Sequence, residues 1–357
     1  MGKPSDTTNT MPGQSGLGAF LPRLMRGENL SRSEASAFLE SLLDSAATDG
    51  QIAAALVALA LKGETVDELT GIAAAMRLRA APIESRHERF LDTAGTGSSC
   101  AKTFNVSTAA AFVIAGAGLP VAKHGNRAVT SRSGSSDVLT ALGVDVRVSP
   151  EISGSCLNDL GVCFMFAPLY HGTTARVAAI RRELGVRTVF NLLGPLTNPA
   201  RAPYQLVGVC KAELVEPIAQ TLAGLGTRRA WVVYGRDGLD EVTLAEKTLI
   251  AEARDGRVST FEVGPEDFGL RPSSHDNLSV EGAAESAQII REVLSEKRND
   301  VARDLVVANA AAGLLIGGAA ADLREATRLA AASIETGAAA AKLAQLVKAT
   351  TRTGVDT

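Results

Sequence analysis

The sequence predicts an α/β protein in two parts: a small all-helical domain, then a larger α/β domain with a mostly parallel central sheet. Three observations predict it. Residues 19–88 repeat apolar side chains at helical spacing and carry no strand signal. From Leu91 onward, short β-branched runs alternate with Ala-rich helical runs, a pattern that builds a sheet with helices on both faces. The chain has 357 residues, 46% hydrophobic and 21% charged, enough core material for two domains or for one large domain with an attachment.

In order along the chain, residues 1–18 are rich in Ser, Thr, Gly and Pro, lack an apolar stretch, and read as a disordered tail rather than a signal peptide or anchor. Ser31 reads as an N-cap with Glu34 completing a capping box, ahead of Leu39, Leu42 and Leu43. Asp49-Gly50 is expected to break that run, Ala53–Leu61 to form the next helix, and Thr65 to cap a third that carries Leu69, Ile72 and Met76. This unit, 19–88, is expected to be completed by part of 168–190. The α/β domain then spans 89–350. Its expected strands are Val144–Val148, Leu206–Val209, Ala230–Val233 and Val258–Phe261, with a short one at Val121-Ala122. Its expected helices are Thr108–Gly116, Ser135–Leu142, Glu213–Ala223, Ala283–Leu294 and much of Val301–Val347.

A formal net charge of −3 gives no basic surplus for nucleic acid, so an anionic ligand must be held by local groups. The four cysteines include no CxxC pair and the chain is too long to need staples, which points to reduced thiols and a cytoplasmic protein. The longest apolar runs are too short to span a bilayer as helices, so no membrane partner is expected.

Four segments carry chemistry. In the first, Gly95 and Gly97 flank Thr96, Ser98 and Ser99 follow, and Thr103, Asn105, Ser107 and Thr108 lead into an Ala-rich helix. Glycines admit a close ligand, and a helix N-terminus offers free N–H groups to phosphate. Alone, this reads equally as a strand–turn–helix with a Ser/Thr cap. In the second, Lys123, His124, Asn126 and Arg127 crowd a strand end, where α/β sheets hold ligands. The Ser/Gly-rich stretch through Ser135 can wrap a phosphate; the plainer reading is a solvated basic turn. In the third, His171 precedes Arg181, whose planar fork suits a carboxylate. Arg181 and Arg182 also fit the polar face of a helix, which is the reading adopted for Arg182. The loop Asn191–Pro199 reads as a positioning element. In the fourth, Asp240 and Glu241 follow the strand Ala230–Val233 and offer hard oxygens to Mg²⁺; alone, such a pair is ordinary surface charge.

In order and spacing, over roughly Leu21 to Val347, these segments resemble the anthranilate phosphoribosyltransferase family. The runs Lys-His-Gly-Asn-Arg at 123–127, Asp-Gly-Leu-Asp-Glu at 237–241 and the stretch Arg181–Pro199 carry the resemblance. It implies a type-II nucleoside phosphorylase-like α/β domain and a homodimer built through the helical domains. By motif it places phosphoribosyl pyrophosphate (PRPP) on Gly95, Thr96, Gly97, Asn105, Ser107, Thr108 and Lys123. It places Mg²⁺ on Asp240, Glu241 and Ser107, and anthranilate on Asn126 and Arg181 beside His124. Lys123, His124 and Arg181 are then the residues expected to act in catalysis. Two departures stand out: Ser98-Ser99 replaces the family's usual Gly-Asp, where serine keeps a hydrogen bond to phosphate but loses a carboxylate, and Val280-Glu-Gly-Ala replaces a usual Gly-Gly-Asp. The reaction implied needs no covalent nucleophile, only neutralised pyrophosphate and an aligned, already neutral aromatic amine. Two rivals remain at this point: a nucleoside phosphorylase of the same fold, and a non-enzymatic paralogue that binds nucleic acid.

Overall fold

A computed structural model describes residues 16–97, 103–127 and 134–351. Four helices open it: α1 (Leu17–Met25), α2 (Arg32–Leu43), α3 (Asp49–Lys62) and α4 (Val66–Arg79). Ser31 and Glu34 form the expected capping box, and Thr65 with Glu68 forms another. Asp49-Gly50 does not break a helix. Thr48 caps α3 in a box with Gln51, so Asp49 and Gly50 are its first residues; the Asp-Gly turn signal loses to the capping side chain one position earlier. Phe38, Leu39, Ile52, Leu56, Leu59 and Ile72 are fully buried between these helices. Helices α2 and α4 approach so closely that a Cβ on Gly71 would lie 2.2 Å from the Arg32 carbonyl oxygen. The helix Ala175–Leu184 packs on α2 and α3 and adds Val177 and Ile180 to the same apolar cluster.

The remainder is built on one seven-stranded sheet of β1 (Leu91–Gly95), β2 (Val121–Gly125), β3 (Val162–Phe166), β4 (Tyr204–Gly208), β5 (Arg229–Gly235), β6 (Thr248–Arg254) and β7 (Arg257–Val263), in the order β3-β2-β1-β4-β5-β6-β7. The five strands from β3 to β5 run parallel, and β6 and β7 return antiparallel. The register sets Thr93 beside Leu206 and Gly95 beside Gly208. The chain runs from β1 outward to β2 and β3, then crosses back to place β4 on the other side of β1. That reversal opens a crevice beyond the carboxyl ends of β1 and β4, the usual ligand position in such sheets.

Val144–Val148 is not a strand. Its buried valines alternate with the exposed Asp145 and Arg147 as in a strand, but its amides leave the ladder: Asp145 N–H donates to Thr350 Oγ1 at 3.2 Å and Arg147 N–H to Asp145 Oδ1 at 2.9 Å. The segment lies against the last helix, Ala338–Thr351, instead of a sheet neighbour. Strands β1, β3 and β6 were not among the expected strands. In β6, Ala, Glu and Arg read as helix formers, and two-sided pairing with β5 and β7 overrides that preference.

Candidate active site

At the end of β1 the chain turns through Gly95-Thr96-Gly97. Thr96 N–H donates to the Gly208 carbonyl at 2.9 Å, bridging the crevice, and Gly97 adopts φ +68°, a left-handed value that glycine takes without strain. Residues 98–102 and 128–133 lie outside the described residues, and with them the predicted Ser98 and Ser99. Thr103 is half-buried, and its hydroxyl stays local on the Phe104 carbonyl at 3.2 Å. The next helix is α5 (Val106–Gly116), and its cap is Asn105 rather than Ser107 or Thr108. Asn105 Oδ1 accepts from Thr108 N–H at 3.2 Å and faces Ser107 Oγ at 3.3 Å. Asn is among the strongest N-caps, and its carbonyl reaches the third amide of the helix.

Against this helix start stands the loop after β5. Ser107 N–H donates to Glu241 Oε1 at 3.2 Å, so a carboxyl group already sits on the positive end of α5. Asp240 is carried to the crevice by close backbone packing: a Cβ on Gly208 would lie 1.7 Å from the Asp240 carbonyl oxygen, and a Cβ on Gly95 would lie 3.7 Å from Asp240 Oδ2. Burial, and then the neighbouring Asp240 charge, push the Glu241 carboxyl up to about 8. Lys123, 4% exposed, closes the group from β2. Its Nζ donates to the Thr93 carbonyl, to Thr93 Oγ1 at 3.3 Å and to Ser107 Oγ at 3.2 Å. Burial lowers its proton affinity, opposed by the charges of Asp92 and Glu241. Gly95, Thr96, Asn105, Ser107, Lys123, Asp240 and Glu241 are thus gathered in one place.

His124 follows on β2. Its N–H donates to Asp92 Oδ1 at 3.1 Å, its ring Nδ1 lies 3.1 Å from the Gly194 carbonyl, and its Nε2 is buried without a partner. A carbonyl only accepts, so Nδ1 carries the proton and Nε2 presents a lone pair. Burial, and then the neighbouring His171, push this imidazole down to about 3, so it is neutral at any physiological pH. The His171 ring stands edge-on to it, with ring centroids 5.3 Å apart. Arg181 sits on the helix Ala175–Leu184. Its Nη2 donates to Asn191 Oδ1 at 3.1 Å, its guanidinium lies 5.2 Å from the Phe190 ring centroid, and its Nε is buried with no partner. Arg182 is exposed. The contacts of Arg181, to Asn191 and Phe190, include none of the Lys123 group. Asn126 and Arg127 lie exposed just beyond β2, with Arg127 N–H on Asn126 Oδ1 at 2.8 Å. Ser135 opens the helix Ser135–Ala141, its hydroxyl 2.1 Å from where a Gly125 Cβ would stand.

Residue patterns alone did not single out Thr93, Asp92 or Asn198. Asp92 is fully buried and pushed up to about 6 by that burial, and it takes the His124 amide. Asn198, also fully buried, donates to the Ala122 carbonyl at 2.9 Å. A carboxylate just ahead of the Gly95–Gly97 turn was the one available signal for Asp92.

Comparison with known proteins agrees with this geometry. Residues 19–80 match the helical bundle domain of a glycosyl transferase family and residues 87–340 match its a/b domain. The chain is 50% identical over 331 residues to an anthranilate phosphoribosyltransferase from Moorella thermoacetica, covering 93% of this chain and 97% of that protein. It is 49% identical to one from an Anaeromyxobacter species, over 92% of this chain and 97% of that protein. Among solved structures, the Thermus thermophilus anthranilate phosphoribosyltransferase superposes with a TM-score of 0.86 at 37% identity, covering 92% of this chain and 98% of that one. The Saccharomyces cerevisiae enzyme, solved in complex with PRPP and Mg, gives 0.85 at 29% identity over 94% of this chain and 98% of that one. Matched over nearly its whole length in sequence, in both domains and in fold, this chain belongs to the anthranilate phosphoribosyltransferase family.

Proposed function

We propose that this chain transfers the phosphoribosyl group of PRPP to the amine of anthranilate, with release of pyrophosphate, as a step in tryptophan biosynthesis. One observation carries the reading: a glycine turn, a helix N-terminus, Lys123 and the Asp240-Glu241 pair converge at the crevice beside β1, next to a buried imidazole held neutral with its Nε2 free.

The residues fit a Mg²⁺ ion. Asp240, Glu241 and the Ser107 hydroxyl offer only hard oxygens, and a carboxyl pushed up to about 8 beside a second carboxylate gains from a cation. Among the described residues no three His, Cys, Asp or Glu side chains cluster as a complete metal site, in keeping with an ion that shares substrate phosphates. Mg²⁺ bound there would supply positive charge to the departing pyrophosphate. The chain's own groups do the rest. Gly95, Thr96 and Gly97 let the backbone approach the phosphates, with Asn105, Ser107, Thr108 and Ser135 as further donors and acceptors, and Lys123 adds charge. As the C1–O bond of the ribose breaks, its electron pair leaves with pyrophosphate, the amine lone pair forms the new C1–N bond, and the acidic arylammonium so formed gives its surplus proton to the departing pyrophosphate or to water. His124 Nε2 accepts a hydrogen bond from the amine and orients it. With an affinity near 3 it is too weak a base to ionise a neutral amine beforehand, and aniline-like amines do not require that. Arg181 and Asn126 hold the acceptor's carboxylate and ring.

The same reading takes 19–88, completed by part of 168–190, as the helical domain and 89–350 as the transferase domain. It pairs two copies into a homodimer through the helical domains, which expose Met25, Leu61 and Leu78 to 77%, 83% and 76%. It places the protein in the cytoplasm, supported by the free thiols Cys156, Cys163 and Cys210. No helix among the described residues is long and apolar enough to cross a membrane. The test is loss of anthranilate fluorescence on mixing protein, PRPP and Mg²⁺. Turnover of nucleosides with free phosphate, or tight binding of nucleic acid without transfer, would instead favour the two rival readings.

A further inference from the structure

We propose that Arg77, on the last turn of α4 in the helical domain, is a positioning residue that holds His124 in its tautomer and orientation by bracing the Gly194–Thr197 loop. The inference rests on the reading of His124 as the amine's acceptor. Arg77 is 47 positions away from His124 in sequence and belongs to a different domain.

The loop's backbone carbonyls are held partly from within the loop, where Thr197 N–H and Oγ1 each donate to the Gly194 carbonyl at 3.4 Å, and partly by other elements. Thr197 Oγ1 donates to the Leu193 carbonyl at 2.9 Å. His124 Nδ1 meets the Gly194 carbonyl at 3.1 Å. Gln205 Nε2, from β4, donates to the Pro195 carbonyl at 2.8 Å. Arg77 Nε donates to the Leu196 carbonyl at 2.7 Å, across 119 residues of chain. Of these, only the Arg77 contact comes from the helical domain, and only it carries a formal charge. Charge-assisted hydrogen bonds are shorter and about twice as strong as neutral ones. Arg77 Nη2 is buried with no partner, so that end of the guanidinium is enclosed in this seam while the residue as a whole is half-buried. Arg77 thus acts on His124 through Leu196, by way of the loop that presents the Gly194 carbonyl to the ring.

The ring has little else to hold it. Nε2 has no partner among the described residues, and the His171 edge contact does not select a tautomer. If the loop relaxes, the Gly194 carbonyl withdraws, the proton is free to move to Nε2, and the lone pair that faces the amine is lost. The PRPP groups are tied elsewhere, through Thr93, Gly208 and Glu241, and do not depend on this loop.

The experiment uses the full chain as Arg77→Met, which keeps length and apolar bulk but removes every donor, and as Arg77→Lys, which keeps the charge but places no N–H where Nε stands. The chain has four histidines, so the ring-nitrogen shifts of His124 can be assigned by nitrogen-15 NMR. In wild type they should show one tautomer with the proton on Nδ1. In Arg77→Met they should move toward a mixture, and the KM for anthranilate should rise about fivefold or more while the KM for PRPP stays within about twofold. Arg77→Lys should show a smaller change in the same direction. A folded Arg77→Met, judged by its melting transition, with wild-type His124 shifts overturns the proposal, whatever happens to stability. If Arg77→Met does not fold, Arg77→Lys decides: His124 shifts and an anthranilate KM both equal to wild type overturn it. The NMR readout involves no acceptor, so a tautomer change without any anthranilate turnover would leave this inference standing and fault the acceptor assignment instead.

Discussion

At the scale of single residues, two side chains are set to separate metal from acceptor. Glu241 is held up near 8 by burial and by Asp240, against an ordinary value of 4.5. The metal-free folded protein therefore binds a proton there that the unfolded chain has released. Between those two values, stability falls as pH rises, because the folded state holds more protons than the unfolded one. Melting curves without metal should drop from pH 5 to pH 8 (roughly the window between the two affinities), and Glu241→Gln should flatten that slope. Asp240→Asn with Glu241→Gln should lose most activity at low Mg²⁺ and regain part in excess. Wild-type turnover by that double variant at low Mg²⁺ would refute the metal assignment. Arg181 tests the acceptor. Its guanidinium is largely enclosed, stacked on Phe190, with Nε unsatisfied, and burial lowers its affinity for the proton without neutralising it. A charge-assisted contact contributes about 1.5–3 kcal/mol, so Arg181→Ala should raise the anthranilate KM about tenfold or more. The PRPP KM should change little, and Arg182→Ala, on the exposed face, should change neither. Equal effects of Arg181→Ala on both substrates would move Arg181 into the fold or the ribose site.

At the scale of elements, the site depends on strand ends meeting one loop. The end of β4 has no room for a side chain: a Cβ on Gly208 would collide with the Asp240 carbonyl oxygen at 1.7 Å. Gly208→Ala must push the Asp240-Glu241 loop outward while leaving β4 paired with β1 and β5. A displacement of that order typically costs about a hundredfold in rate, so activity should fall about that much with a near-normal circular dichroism spectrum. Retention of full activity would mean that the loop is free to re-seat and that the two carboxylates are not held in place by β4. The same scale explains what residue patterns missed. Glycines 95 and 97 signalled a tight turn. Gly208 sat unremarked at the end of an expected strand, because its reason is a loop 32 positions later that packs on it. The capping of α5 by Asn105 was hidden for a similar reason. Asn, Ser and Thr at 105, 107 and 108 are all good caps, and only backbone geometry selects among them.

At the scale of the whole molecule, three large apolar side chains on α1, α3 and α4 face solvent at 77%, 83% and 76% exposure, while the buried apolar residues of these helices pack together and against Val207, Val232 and Ala251 of the sheet. Single exposed apolar residues need no explanation, but a pairing surface would use them. If the helical domains pair two copies, Leu61→Asp with Leu78→Asp should shift sedimentation from dimer to monomer at micromolar concentration. An unchanged dimer would place the interface elsewhere, and a monomeric wild type would remove it.

The sequence by itself determined the division into helical and α/β parts, the caps at Ser31 and Thr65, most helices, and the chemistry each segment offers. These follow from local causes: apolar spacing, side chains that satisfy free amides, and functional groups clustered within a few residues. Val144–Val148 shows the limit of such causes, since its alternation was real but its amides found Thr350 and Asp145 instead of a neighbouring strand. Only the tertiary structure decided which groups meet. Lys123 turns to Thr93 and Ser107, Glu241 lands on the start of α5, and His124 acquires its tautomer from a carbonyl 70 residues away. Those partners are chosen by the reversal of strand order between β2-β3 and β4-β5, which brings distant strand ends side by side; no pattern within a short window of sequence encodes a proximity that exists only once the sheet has closed.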